Sequence, residues 1–472
     1  MKIKHDPIDI PHGKDEDPFL NCKLDRKPYA EALTNVVNTY ADGFVMAVNN
    51  EWGAGKTTFI KMWKQQLKNE GFETLYFNAW ENDFQDDVII ALLSELKELR
   101  DEGSEKFDSV LKNAATFLRK VAPAVIKGAA SKAIGDDAVS DIVEAVTTYT
   151  TQEVEEELKA FSEKKKGIQD FRKSLEAFVE KVNSDKPVVF FIDELDRCRP
   201  DYAVRVLERI KHLFSVPGIV FVLSIDKEQL GHAVCGYYGS DNINAPEYLK
   251  RFIDLEFNIP EPNQQQYIEY LMKYYDFDSF TNQKSRDNEL FKLDKSRLNN
   301  VSLMLFTKEE FNLRLLHKCF SRIRLTLMTF SEDQYILPEI VILLAYLYEK
   351  HIDVYKKLQA SKYTISSLIN EIDDILMKYN TSTNSKKIYN LYGSLLVKYR
   401  NQLFKKNNYI QLPLIQHNTS TGGCTLLFTS KFERGSDNNL ASSINYYESV
   451  HGIYDLDLSY IQARYSLTKN II

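Results

Sequence analysis

Residues Asn50 to Thr58 read Asn-Glu-Trp-Gly-Ala-Gly-Lys-Thr-Thr, set between a short apolar run and a stretch of helical periodicity. A turn that leaves a buried strand and opens a helix aims successive backbone N–H groups and the helix N-terminus at one point, which makes an anion site. Lys56 adds a point charge suited to β- and γ-phosphates, and the Thr57 hydroxyl is a ligand for Mg²⁺. Asn50, Glu51, Trp52, Gly53, Ala54, Gly55, Lys56, Thr57 and Thr58 are thus expected to form a nucleotide-phosphate loop, with Lys56 exposed in a preformed cradle. In the pattern G-x-x-x-x-G-K-[ST], Asn50 stands where the first glycine falls, and asparagine tolerates left-handed backbone better than most residues.

The second stretch able to do chemistry is "VVFFIDELDRCRP", an apolar run that ends in two carboxylates. Asp193 is expected to hold Mg²⁺ through its water shell, and Glu194 to polarise the attacking water. A small-molecule kinase of this class passes its phosphoryl group to a bound substrate and needs no such base, so the acidic pair favours hydrolysis. "FVLSID" supplies a third strand, expected to end between the other two, with Ser224 or Asp226 in reach of the γ-phosphate or the water. A backbone hydrogen bond accounts equally well for a serine in a buried strand.

These groups need a frame. "PYAEALTNVVNTYADG" has helical spacing at Ala32, Val36, Val37 and Tyr40 and is expected to end at Gly43. Phe44 to Val48 reads as a strand buried on both faces, Phe59 to Leu67 as an amphipathic helix, and Phe72 to Trp80 as a second strand. Pro187 to Asp193 and Gly218 to Asp226 read as two more buried strands, joined by the helix "PDYAVRVLERIKHLF". The order strand, turn, helix, strand demands a parallel sheet with right-handed crossovers and helices on both faces.

Residues 84–186 read as a helical insertion. Val154, Leu158 and Phe161, then Ile168, Phe171, Leu175, Phe178 and Val182, mark a long helix packed along another and interrupted at Lys164 to Gly167. Packing within the chain and an intermolecular coiled coil both fit that stripe. Lys120, Lys127 and Lys132 beside Val121, Val125 and Ile126 permit a weakly basic helix on a membrane surface or an ordinary helical hairpin, but no uncharged run reaches the ~20 residues of a bilayer span. After Pro260 the pattern is helical to about Phe404, with "YNTSTNSKK" as a loop. The stretch from "YIQLPLIQHNTSTGGCTLLFTSKF" onward is strand-like in places.

Composition narrows the class. With 472 residues, 44% of them apolar, the chain can bury one large core or several ordinary ones. A net charge of −7 gives no global attraction to nucleic acid or to an anionic membrane, which leaves a local basic patch as the only route to either. Five scattered cysteines without C-x-x-C spacing fit reduced thiols rather than a disulfide framework or a zinc site. The charged, proline-broken N-terminus lacks the features of a secretory signal, so a cytoplasmic location is expected.

Taken in order, "NEWGAGKTTF", "LYFNAW", "VVFFIDELDRCRPDYAVRVLERIKHLF", "IVFVLSIDKEQL" and "PEYLKRFIDLEFNIP" resemble the KAP family of P-loop NTPases, over about Phe19 to Pro260 and toward Phe330. The resemblance implies an α/β P-loop NTPase fold of the additional-strand type: a KAP-like domain at 1–260 with its helical insertion, a helical lid at 261–330 and a mostly helical region at 331–472. It implies ATP and Mg²⁺ as ligands. It also implies oligomers in which an arginine reaches a neighbour's nucleotide, with Arg197, Arg199 and Arg251 as candidates, and Arg314 where a second sensor would sit on the lid. Many family members carry transmembrane helices in the insertion; none is read here. Bacterial members are associated with defence against phages, often beside nuclease or other effector partners. The resulting expectation is an ATP-hydrolysing switch, a homo-oligomer or one working on a protein effector. An ATP-holding scaffold without turnover and a P-loop phosphotransferase are the alternatives.

Overall fold

The computed structural model describes residues 7–40, 42–85, 87–99, 105–118, 151–182, 185–240, 242–281, 293–307, 311–331, 337–407, 413–417, 423–432, 439–451 and 457–467. The chain divides into two compact units, Ile8–Glu261 and Pro262–Ile472, the second including Met1–Pro7.

The first unit runs α1 (Lys27–Thr39), β1 (Val45–Asn49), α2 (Lys56–Asn69), β2 (Thr74–Asn78) and α3 (Val88–Leu96). There follow a helix α4 over 105–118, α5 (Thr151–Val182), β3 (Val188–Asp193), α6 (Pro200–Arg209) with a π-helical turn Ile210–Phe214, β4 (Ile219–Ile225), α7 (Lys227–Tyr238), α8 (Ala245–Leu249) and β5 (Leu255–Asn258). All pairings in the sheet are parallel, in the order β2-β3-β4-β1-β5. β4 therefore lies between the loop-bearing β1 and the acidic β3, as the sequence predicts. The short edge strand β5 was not read from the sequence because its residues are mostly exposed and carry no apolar run.

Strand pleating divides the sheet's side chains between two layers. Met46, Val48, Val189, Phe191, Val220 and Val222 pack with α1 and α2, and Val45, Ala47, Phe190, Ile192, Phe221 and Leu223 with α3 to α7. The first layer is keyed by Trp63, whose ring meets Phe191 edge-on at 5.3 Å and whose Nε1 donates to Thr34 Oγ1 at 2.9 Å. A fully buried indole with its one donor satisfied holds α2 to the sheet without a polar penalty.

Several sequence expectations change in detail. α1 ends at Thr39 and buries Ala30, Leu33, Thr34 and Val37, while Ala32 and Tyr40 face solvent. The helical period is right and its phase is shifted, because small and polar residues at 30 and 34 carry the buried face. Gly43 does not cap the helix: it stands at the entrance to β1 with φ +94°. α5 is one continuous helix, without the expected break at Lys164 to Gly167. Gly167 is buried against α4, where a β-carbon would stand in ordinary contact 3.7 Å from Phe117 Cδ2, so packing on α4 carries the helix through a residue that weakens it by about 1 kcal/mol without itself demanding a glycine. Phe171, Leu175, Phe178 and Val182 are buried within the chain; Phe178 meets Phe107 at 5.2 Å and Phe171 meets Phe214 at 5.5 Å. Phe161 is exposed, and the side chains of Val154 and Leu158 and the lysines 120, 127 and 132 lie outside the described residues.

Between Gln264 and Asn407 the described residues of the second unit are mostly helical, and the 23-residue helix Ser385–Asn407 begins inside the expected loop, taking in its last three residues, Ser385 to Lys387. The tail is less strand-like than its sequence suggests: a hairpin of Ile415–His417 and Cys424–Leu426 gives way to helices Asn439–His451 and Leu458–Leu467. Its Ser, Asn and Tyr residues obscure the helical period, yet Leu440, Ala441, Ile444, Tyr447, Leu458, Ile461 and Tyr465 are buried in the unit's core. No helix among the described residues is long and apolar enough to cross a membrane.

A β-carbon at Gly43 would fall 2.7 Å from the Ile219 carbonyl oxygen and 2.8 Å from that of Val216. Both are backbone atoms that cannot turn aside. Gly43→Ala should therefore cost about 2–3 kcal/mol in urea unfolding, through strain at positive φ and displacement of β4.

Candidate functional site

The expected phosphate loop leaves the carboxyl end of β1 and becomes α2 at Lys56. Gly53 and Gly55 adopt φ +86° and +83°, the left-handed backbone that lets the chain curl with its amides turned inward. Asn50 is not left-handed, contrary to the reason given for tolerating it there. Its side chain works instead: Nδ2 donates to the Ile259 carbonyl at 2.8 Å, and Oδ1 accepts the Glu51 N–H at 2.7 Å. A glycine would keep only the backbone ties at this position and lose both side-chain ones.

Lys56 is buried, at 8% exposure, rather than standing exposed in the cradle. Nζ donates to the carbonyls of Asn50 at 2.5 Å and Glu51 at 3.0 Å, so the lysine closes its own loop. Burial lowers its pKa; the carboxylates of Asp196, Asp226 and Asp193 pull the other way. Thr57 and Thr58, on the first turn of α2, are half-buried.

β-Sheet register gathers the opposite wall. Asp193 pairs with Ser224 across β3 and β4, Ser224 with Val48 across β4 and β1, and Asn78 with Asp193 across β2 and β3. By pleat parity these three polar residues share the face that α2 covers, at the carboxyl ends of their strands. Asp193 is buried; Oδ2 accepts the Tyr76 hydroxyl at 2.9 Å and Oδ1 the Glu194 N–H at 3.0 Å. Burial, with the Asp193 charge, pushes the Tyr76 phenol well above its ordinary range and keeps it a donor. Ser224 Oγ is buried without a hydrogen-bond partner. Asp226 caps α7, its Oδ1 accepting from Gln229 N at 3.2 Å, which accounts structurally for that residue.

Glu194 adopts φ +61°, a conformation uncommon outside glycine. The kink turns it away from Asp193, so two consecutive carboxylates serve different neighbours. Arg197 Nη1 sits 2.7 Å from Glu194 Oε1, and Asn78 Nδ2 donates to Oε2 at 3.3 Å. The Arg197 guanidinium also lies 5.6 Å from the Trp80 ring. Arg199 is committed to Asp83, with Nε 2.8 Å from Oδ1. Arg251 follows α8 and is exposed. Arg314 is exposed on the helix Leu313–Met328 of the second unit.

Sequence reading missed four residues of this region. Asp196, three residues beyond Asp193 in the short turn Leu195–Arg197, accepts a hydrogen bond from the Trp52 indole and is the carboxylate that bears most on Lys56; its own pKa is raised by burial. Tyr76 and Asn78 were visible only as part of an apolar-alternating strand. Arg26 donates to the carbonyls of Ala54 and Gly55 from behind the loop.

The two glycine-shaped amides, the threonine hydroxyl opening α2, the buried aspartate and the orphaned serine hydroxyl together fit a nucleoside-phosphate ligand with a hard divalent cation. This is the class of site a P-loop fold makes. Residues 26–330 match the KAP family P-loop domain, and the chain belongs to that family. No curated protein matches it. Among solved structures it is similar to the Aeropyrum pernix ORC2 protein in ADPNP–ADP complexes, at 14% identity over 91% of this chain and 95% of that one, with a TM-score of 0.30. So slight a likeness adds nothing to the reading.

Because Lys56 ties two loop carbonyls, its loss should loosen the loop as well as remove a charge. Lys56→Ala is expected to destabilise the protein by about 1–2 kcal/mol and to speed amide exchange at residues 50–56, as followed by hydrogen–deuterium exchange. An untouched exchange pattern would mean the loop holds its shape without the lysine.

Proposed function

We propose that this chain binds ATP with Mg²⁺ at the carboxyl ends of β1, β4 and β3, hydrolyses it, and uses the bound and reset states as a switch toward a partner. The observation that carries the reading is the sheet register, which lines Asp193 and the unpartnered Ser224 Oγ up beside the loop that ends in Lys56.

The roles follow from the side chains. The amides of the loop cradle the phosphates, and Lys56 exchanges its carbonyl partners for phosphate oxygens. Thr57, and Asp193 through the ion's water shell, would hold Mg²⁺, which would supply positive charge beside the γ-phosphate. Tyr76 fixes one oxygen of the Asp193 carboxylate by its hydrogen bond. Glu194 takes a proton from the attacking water, and Ser224 or Asp226 senses the γ-phosphate. In the present arrangement Glu194 is occupied by Arg197 and Asn78, so catalysis requires that it be released or turned.

That restraint favours a second reading, an ATP-holding scaffold without turnover. Phosphate release measured beside calorimetric binding separates the two. In the switch reading, Glu194→Gln keeps ATP affinity and loses at least about 10²-fold in turnover. Wild-type binding without phosphate release would leave the scaffold.

Assembly is proposed from the arginines. Arg197 and Arg199 have carboxylate partners within the chain, which makes the exposed Arg251 the best placed to serve a neighbouring subunit. An arginine delivered in trans is worth about 10³-fold or more in rate. Specific activity should then rise with concentration, and mixing inactive Glu194→Gln with Arg251→Ala should restore part of it. Activity strictly proportional to concentration, with no rescue, would place the catalytic arginine in cis. The lid at 261–330, a sensing role for Arg314, an effector partner and a place in bacterial defence rest on the family resemblance alone.

A further inference from the structure

We infer that Arg26 is a positioning residue of the phosphate loop, a buried cation that polarises the amide cradle from behind and takes the bound phosphate as its counter-charge. The inference rests on the nucleotide-binding reading above and assigns a function to a residue outside the loop motif.

Arg26 immediately precedes α1, and its side chain is only 3% exposed. Nη2 donates to the Ala54 carbonyl at 2.7 Å and Nη1 to the Gly55 carbonyl at 3.2 Å. Nε is buried with no partner. The two accepting carbonyls belong to particular peptide units: Ala54 C=O shares its plane with Gly55 N–H, and Gly55 C=O with Lys56 N–H. In a trans peptide the N–H points opposite to the C=O, so amides whose oxygens face Arg26 turn their hydrogens away from it. Gly55 and Lys56 supply the N–H groups at the mouth of α2, where the phosphate is expected. A cation on the carbonyl side draws electron density through each peptide and strengthens the donor on the other.

Charge balance points the same way. Lys56 has Asp196, Asp226 and Asp193 around it, whereas among the described residues the groups that bear on Arg26 are Cys22 and Tyr29, neither of them a carboxylate. Burial pushes the Arg26 guanidinium down to about 10, which leaves it charged at neutral pH. A buried charge without an opposite one is costly and is tolerated where something else supplies the missing charge. A phosphate seated on the far side of the same two peptides does so.

The test compares Arg26→Met, Arg26→Gln and Arg26→Lys in the full chain, with calorimetric binding of ADP and of pyrophosphate and thermal unfolding with and without ADP. Arg26→Met and Arg26→Gln should weaken both ligands by about tenfold or more, with Arg26→Lys recovering part of the loss because it keeps the charge. The ligand-free melting temperature of Arg26→Met should be unchanged or higher, since an uncompensated buried charge has gone. An arginine that merely braces the fold gives the opposite pattern: a lower ligand-free melting temperature with affinity kept, and that result would overturn the inference. Should Arg26→Met not fold, Arg26→Gln decides, since wild-type affinity in that variant means the charge is not used. Failure of the wild type to bind either ligand would sink the nucleotide reading itself, a result distinct from any change confined to the variants.

Discussion

A parallel strand buried on both faces can carry polar chemistry only where it ends. Inside the sheet every side chain of β1, β3 and β4 must be apolar or satisfied, and the flanking helices leave no water to help. The polar residues of these strands accordingly collect at the carboxyl ends, at Asn49, Asp193 and Ser224. The register that pairs Asp193 with Ser224 and Ser224 with Val48 then decides which of them stand side by side. A slip of one residue in any strand would turn its polar end to the other face of the sheet. The positions of the loop, the acidic pair and the serine all depend on that alignment.

Around this frame the loop is held by contacts of its own. Lys56 closes it from within through the Asn50 and Glu51 carbonyls, Arg26 binds it from behind, and Trp52 reaches across to Asp196. Asn50 fastens its entrance to the chain after β5. A loop with this many tethers needs little ordering when a ligand arrives, so more of the interaction energy is left for binding. The acidic side is restrained as well. Glu194 sits in a left-handed kink with Arg197 and Asn78 on its two oxygens, and this position stores both strain and an ion pair against any movement toward the loop.

Much of this was legible in the residues. The glycine, lysine and threonine spacing, the apolar runs of β1, β3 and β4, and the carboxylates at the end of β3 each carry a local physical reason, and the chain's order of elements allows little but a parallel sheet with β4 inserted. Local pattern failed where a residue serves something distant. Gly167 looks like a helix break because the residues that α5 packs against, Phe107 and Phe117, lie on another helix. Gly43 looks like a cap because the carbonyls that require it belong to Val216 and Ile219. The tail looks like strand because its buried apolar residues are spaced among Asn, Ser and Tyr, and only the core they enter reveals a helical face.

The sequence by itself therefore determined which chemistry the chain carries, since an amide-rich turn, a lysine, a threonine and an acidic strand end are properties of short segments. Tertiary structure alone decided how those groups are held. Lys56 is buried beside Asp193, Asp196 and Asp226, Arg199 is bound to Asp83 across 116 positions, and Asp196 answers Trp52 across 144 positions of sequence. Arg26 stands behind Ala54 and Gly55 with no sequence pattern to announce it. The physical reason is that burial and charge pairing depend on neighbours far apart in the chain, and only folding brings them within reach of one another.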